Sequence, residues 1–290
     1  ETYAAEIARR EAWLADRRKV DKALGVKQPL LHMETTHFVL AWNIPKVTTA
    51  EKKTYRSHEA MHLYAERFEA VYAWYQDLFG IEDGNNMVNK HYVYAFGDER
   101  TFREAGPRYT GLSGPVTVKR MGGVDQDSSI VTWWTKGEHP KEEDFYRHLA
   151  HNIIHQVASV YYDLKWFEPG QFGLMPPWLN DKYGWLDAGL AHWFERQLPG
   201  RITTYCMREQ DITARWKGDD WRKNVLKSVQ ADDVPIFAET LTRPTQALTA
   251  KEHQFCWSWV DFLIDRDPKA MGQMMALAKQ EAPTRDMLRE

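Results

Sequence analysis

Residues 148–156, with the sequence His-Leu-Ala-His-Asn-Ile-Ile-His-Gln, decide the fold of this chain. They lie in a helix predicted over residues 142–162, which places His151 and His155 one turn apart on the same face. Two imidazoles at this spacing can chelate one metal ion. Where such a pair supports hydrolysis, the residue after the first histidine is a glutamate that acts as general base. That position is Asn152 here.

A second segment, residues 185–195, has the sequence Trp-Leu-Asp-Ala-Gly-Leu-Ala-His-Trp-Phe-Glu and is predicted to lie in a helix over residues 183–197. It resembles the segment Trp-Leu-x-Glu-Gly-x-Ala-x-Tyr-x-Glu of the gluzincins, the thermolysin-like, MA-clan zinc metallopeptidases. Further segments are similar to a family of uncharacterised gluzincin-type peptidases: residues 36–40, 75–80, 91–96 with Phe102, and 255–263. The resemblance rests on the order of these segments along the chain, and it covers roughly residues 33–268.

The resemblance implies a gluzincin-like fold and assigns roles to four positions. His151 and His155 match the two histidine ligands of the family. The general-base position is Asn152, and the position of the third ligand is Ala188. An amide cannot take a proton from water at neutral pH, so we expect no ordinary peptidase activity.

The nearest substitute for the third ligand is His192, one turn beyond Ala188 on the same helix face. A set of His151, His155 and His192 would suit zinc or copper. One helical turn spans about 5.4 Å, so the ion or the helix would have to shift. His148, one turn before His151, is a second candidate. A domain that retains its histidines as hydrogen-bonded relics and binds no metal is an equally open alternative.

Three carboxylates, Asp181, Asp187 and Glu195, flank the second segment. Any of them could provide a replacement general base for the missing glutamate. Carboxylates at helix starts more often complement the helix dipole. The dipole interpretation is therefore the one we favour from the sequence.

The segment His58-Glu-Ala-Met-His62 is a literal match to the His-Glu-x-x-His pattern. Its upstream flank, residues 53–57, is polar and charged, whereas an active-site helix of this kind is apolar. No segment resembling Glu-Gly-x-Ala follows it at a suitable spacing. We interpret it as a solvated helix face, with a surface metal-binding pair as the alternative.

The order of predicted elements indicates an α+β fold, with a small mixed sheet followed by a mostly helical half. The N-terminal elements are a strand at 37–42, a helix at 53–79, a strand at 91–96, a helix from Asp98 to Ala105 ended by Gly106-Pro107, and an edge strand or hairpin arm at 129–134. Two more helices are predicted at 219–230 and 251–265. The expected organisation is an amphipathic lead-in helix in 1–32, an α/β lobe in 33–140 and a helical lobe in 141–290.

Composition excludes some classes of partner. With 38 Lys+Arg against 41 Asp+Glu and no basic block, we expect no nucleic acid or anionic membrane as partner. No apolar run reaches the roughly 18 residues of a membrane span. The 13 tryptophans are expected mostly in the core. The alternative is the floor of a cleft that binds a peptide or a saccharide.

The two cysteines, Cys206 and Cys256, are too few for a disulfide framework. They form either one disulfide in an exported protein or two buried thiols. The chain begins at Glu1 without an initiator methionine, which fits a removed export signal or a truncated sequence. Localisation stays open from the sequence, and export to the periplasm or the cell exterior is the favoured alternative.

Three classes of function follow from the sequence. The favoured one is a gluzincin-like domain that is not a peptidase, either a pseudoenzyme or a binding protein with a His-rich metal site. The second is an active metal-dependent hydrolase that uses His151, His155 and His192 as ligands and Asp187 or a nearby acid as base. The third is a structural subunit of a larger assembly.

Overall fold

A computed structural model gives the structure of the chain. It describes residues 3–23, 25–26, 30–81, 90–110, 119–124, 127–134, 139–160, 183–200 and 220–279. The chain divides into two compact units. The first comprises residues 1–69 and 90–142, and the second comprises residues 70–89 and 143–290.

The first unit is built on a five-stranded sheet. In chain order its strands are β1 (Leu31–Glu34), β2 (Phe38–Trp42), β5 (His91–Phe96), β6 (Lys119–Val124) and β7 (Asp127–Trp133). They lie in the order β1-β2-β5-β7-β6, with β2, β5 and β7 parallel and the two outer strands antiparallel to their neighbours. Every residue of β2 is buried, as expected for an inner parallel strand. The mixture of helix and strand predicted from the sequence is confirmed at this level.

Two short strands, β3 (Lys46–Thr48) and β4 (Thr54–Arg56), form a separate hairpin before helix α2 (Ser57–Phe79). The predicted helix start at residue 53 is therefore wrong by four residues, because β4 pairs with β3 instead. Helix α1 (Tyr3–Ala23) lies within the segment 1–32 for which a lead-in helix was predicted.

Helix α3 (Glu99–Thr110) begins after Asp98, whose side chain accepts a hydrogen bond from the backbone of Thr101 at 2.8 Å. The prediction that Gly106-Pro107 ends this helix is wrong, since the helix continues to Thr110. A proline removes one backbone hydrogen bond. We attribute the continuation to Phe102 and Ala105, which are buried in a core cluster with residues of β2 and β5. Of the two alternatives for residues 129–134, the hairpin arm is confirmed and the edge strand is wrong, because β6 is the edge.

The described part of the second unit is helical. Its helices are α4 (Glu142–Val160), α5 (Gly184–Gln197), α6 (Trp221–Gln230), α7 (Phe237–Thr240), α8 (Ala250–Arg266) and α9 (Pro268–Lys279), with a 3-10 turn at Thr245–Ala247. The four helices predicted in this half are confirmed as α4, α5, α6 and α8. The sequence did not predict α7 or α9. No helix in the described residues is long and apolar enough to cross a membrane.

Two glycines of α5 allow this helix to pack closely against its neighbours in the second unit. A Cβ atom at Gly189 would lie 2.6 Å from the carbonyl oxygen of Cys256 and 2.5 Å from a methyl group of Val260, both on α8. A Cβ atom at Gly184 would lie 2.3 Å from the backbone nitrogen of Thr245. Such distances require glycine, because the backbones approach too closely for any side chain. Helix α5 therefore lies directly against α8 and the 3-10 turn.

Candidate metal site

The two helices that carry the histidine motifs are buried along their central turns. Every residue of α4 from Arg147 to Ala158 is buried, and so is every residue of α5 from Gly184 to Glu195. Buried polar groups must find partners inside the protein. The histidines and acids on these helices form one such network.

His155 and Asp187 form the first contact between the two helices. The Nδ1 atom of His155 lies 2.7 Å from Oδ1 of Asp187. The other oxygen of Asp187 accepts a hydrogen bond from the hydroxyl of Thr245 at 2.7 Å. Both oxygens of this carboxylate are therefore engaged. This leaves Asp187 badly placed to act as a general base.

Glu195 forms the second contact and joins two histidines. Its Oε2 atom lies 3.0 Å from Nδ1 of His151 and 3.0 Å from Nδ1 of His192. The Nε2 atom of His192 in turn faces Nδ1 of His253 on α8 at 3.2 Å. The side chains of His151, His192 and Glu195 have no solvent exposure. The network thus runs through four histidines and two acids.

The Nε2 atoms of His151 and His155 face each other at 3.0 Å. A carboxylate can only accept hydrogen bonds, so the contacts to Glu195 and Asp187 place the ring proton of each histidine on Nδ1. Both facing Nε2 atoms then carry lone pairs. Two lone pairs at this distance repel unless a proton or a cation lies between them. The geometry therefore calls for positive charge at this point.

The charge balance of the cluster leads to the same conclusion. Asp187 and Glu195 are fully buried, and among the described residues neither forms an ion pair with a lysine or an arginine. The Oε1 atom of Glu195 is buried and has no hydrogen-bond partner among the described residues. Buried carboxylates are costly unless cations neutralise them. One divalent ion would balance two of them.

The arrangement also contains a set of three groups that could hold a metal ion. Single ligand atoms of His151, His192 and Glu195 all lie within 4.8 Å of one another. The imidazole and carboxylate ligands of this set suit zinc and other borderline divalent ions. The cluster therefore offers two positions for an ion, one between His151 and His155 and one among these three groups.

The remaining residues of the sequence hypothesis include Asn152, His148 and Ala188. Asn152 donates from its amide to the backbone carbonyl of His148 at 2.6 Å, which is one turn back along α4. The ring of His148 stacks on Phe145 at 6.5 Å between centroids. Ala188 is fully buried, and its methyl group offers no ligand atom. Asp181 lies outside the described residues.

The dipole interpretation of the acids is wrong for Glu195. This residue lies near the last turn of α5, where a carboxylate opposes the helix dipole instead of complementing it. Asp187 does lie in the first turn, but its side chain is buried against His155 and Thr245. Both acids are therefore members of the histidine network.

Sequence reasoning missed His253, Thr245 and Trp221. His253 and Thr245 are distant from both motifs along the chain, and no local pattern marks them. The ring of Trp221 lies 4.7 Å from that of His192 between centroids and covers this histidine. Of the tryptophans near the motifs, Trp185 and Trp193 are buried, which confirms the core interpretation for these two.

The His58-Glu-Ala-Met-His62 segment differs from this cluster in its exposure to solvent. His58 and His62 are exposed on α2 in the first unit. This exposure fits the predicted solvated helix face and leaves the alternative of a surface metal-binding pair open. Cys256 is buried on α8, whereas Cys206 lies outside the described residues, so their pairing stays a prediction.

Comparison with known proteins adds no family assignment. No protein-family model matches the chain, and no curated protein sequence matches it.

Proposed function

We propose that the chain contains a gluzincin-like domain that has lost peptidase chemistry and binds one divalent transition metal ion between His151 and His155. This proposal corresponds to the pseudoenzyme or binding-protein class that was favoured from the sequence. Zinc or copper is the expected ion, because both accept imidazole ligands.

The facing Nε2 atoms of His151 and His155 carry this proposal. Histidines that ligate metals almost always donate their other ring N–H to a carboxylate, a carbonyl or water, which fixes the tautomer and aims the free lone pair at the ion. Glu195 and Asp187 accept from His151 and His155 in this way. The contacts of His192 and His253 are satisfied as ordinary hydrogen bonds and need no ion. We therefore favour the position between the two α4 histidines over the one among His151, His192 and Glu195.

The amide at the general-base position supports a role other than peptide hydrolysis. Asn152 donates its amide hydrogen to a backbone carbonyl and cannot accept a proton from water. General-base catalysis typically contributes roughly 10² to 10⁴-fold to a rate. The ion would supply Lewis acidity, but among the described residues Asp187 has both carboxylate oxygens engaged. Glu195 is held between His151 and His192. The active-hydrolase alternative uses Asp187 or a nearby acid as base, and both oxygens of Asp187 are engaged.

Metal analysis of variants tests the proposal. The wild type, His155→Ala, His192→Ala and the matched control His148→Ala are refolded with zinc or copper, dialysed against a weak chelator and measured for bound metal. We expect about one ion per chain in the wild type and in His148→Ala, and none in His155→Ala.

The pattern of loss also locates the ion. Loss in His192→Ala with retention in His155→Ala would place it among His151, His192 and Glu195. No retained ion in the wild type would refute the metal site. Robust, chelator-sensitive proteolysis by the wild type would refute the loss of peptidase chemistry.

A further inference from the structure

The first unit contains a histidine pair that the proposed function does not use. His58 and His62 lie one turn apart on α2, and their Nε2 atoms are 3.3 Å apart. The ring centroids are 4.6 Å apart. Both rings are exposed, and among the described residues neither has another hydrogen-bond or ion-pair partner. Their nitrogens are therefore available to a solute.

The spacing of the two nitrogens matches one edge of a metal coordination shell. Two nitrogens each about 2.05 Å from a tetrahedral zinc ion lie about 3.3 Å apart. The rings thus need little rearrangement to bind one ion together. Neutral imidazoles favour copper, nickel and zinc over magnesium or calcium.

We propose that His58 and His62 form a second, solvent-exposed site for a divalent transition metal ion. The two Nε2 atoms are its protein ligands, and water fills the other positions. With only two ligands and no burial, the site binds weakly and exchanges its ion freely with solution. It is independent of the buried cluster, which belongs to the other unit.

The distribution of histidines makes this site easy to isolate experimentally. All eleven histidines of the chain lie among the described residues, and His58 and His62 are the only ones that are exposed. A chelating resin charged with Cu²⁺ or Ni²⁺ contacts only exposed side chains. Retention of the full chain without an affinity tag therefore reports on this pair.

The experiment compares the wild type with His58→Ala, His62→Ala and the double variant on such a resin. We expect the resin to retain the wild type and not to retain the double variant. Each single variant should bind the resin at least roughly tenfold more weakly than the wild type, because the second ligand adds effective concentration. Circular dichroism establishes that the exposed substitutions leave the fold intact. The matched control is Glu66→Ala, an exposed position one turn beyond His62 on the same helix, which should elute with the wild type.

Several outcomes would overturn the proposal. Undiminished retention of the double variant would exclude the pair as the site. A loss in Glu66→Ala as large as that in His62→Ala would exclude the pair as the binding unit. Loss in His155→Ala with retention in His62→Ala would assign the resin contact to the buried cluster.

Discussion

Replacing Glu195 by glutamine separates the proposed role of this residue in metal binding from its contribution to stability. The substitution keeps the size of the side chain and one acceptor oxygen, but it removes the negative charge between His151 and His192. Loss of an outer-shell partner typically lowers metal affinity by roughly 10 to 100-fold. Without metal, the same change removes a buried carboxylate that has no lysine or arginine partner in the described residues. We therefore expect the metal-free protein to be as stable as the wild type or more stable.

The expected magnitude follows from binding linkage. At a metal concentration of about one hundred times the wild-type Kd, the ion stabilises the folded state by about 2.7 kcal/mol. The same concentration stabilises Glu195→Gln by only about 0.4 to 1.4 kcal/mol, given the weaker affinity. For a chain of 290 residues the difference lowers the metal-induced rise in Tm by about 2 to 4 °C.

The assay is thermal unfolding of protein refolded with and without zinc. The matched control is Glu239→Gln, the same substitution at an exposed carboxylate on α7, which should change neither curve by more than about 0.5 kcal/mol. A strongly destabilised metal-free Glu195→Gln with unchanged zinc affinity would refute the reasoning. Glu195 would then stabilise the helices and would not orient a ligand.

Three further predictions follow from the same structure. The double variant Asn152→Glu with Ala188→Glu should gain chelator-sensitive peptide hydrolysis, roughly 10² to 10⁴-fold above the wild type in a fluorogenic assay. A double variant that is folded but inactive would contradict the proposal that the chain has lost peptidase chemistry. Gly189→Ala should destabilise the second unit by about 1 to 3 kcal/mol in urea unfolding, because its Cβ would collide with the backbone of Cys256; an unchanged midpoint would contradict this packing. Burial lowers the pKa of His91 from its usual 6.5 to about 3. The stability tied to neutral His91 is thus present above pH 6.5 and lost as the pH falls toward 3. His91→Phe should therefore remove about 2 kcal/mol of the destabilisation that occurs between pH 7 and pH 5, measured by urea unfolding at both pH values. Equal pH dependence of the two proteins would disprove this prediction.

Local sequence patterns predicted the elements whose signals are themselves local. The apolar spacing around His151 and around Trp185 located both motif helices, and Asp98 was correctly identified as a helix cap. Local reasoning failed where tertiary packing overrides propensity. Pro107 lies inside a helix because neighbouring residues are held in the core, and Thr54–Arg56 pairs as a strand although it adjoins a strong helix.

The candidate site shows the same division. His151 and His155 were identified because their spacing is a property of one helix. The contact between Glu195 and His192 is local, because the two residues lie three positions apart in α5. The contact between Glu195 and His151 depends on how α4 packs against α5, and the contribution of His253 depends on α8. Such contacts join residues that are 44 and 61 positions apart, so no local pattern encodes them.

The histidine network is almost completely buried, with His155 at 5% exposure as its most exposed histidine. This burial determines how fast an ion could enter or leave it. His151, His192 and Glu195 have no exposed surface in the described structure, and Trp221 covers one of these rings. Exchange then requires this part of the protein to open, and its rate follows the free energy of that local opening and not the strength of the ligand bonds. An ion held there would be acquired while the chain folds and would remain for as long as the helices stay packed. The metal content of a mature molecule would record the metals present where it folded.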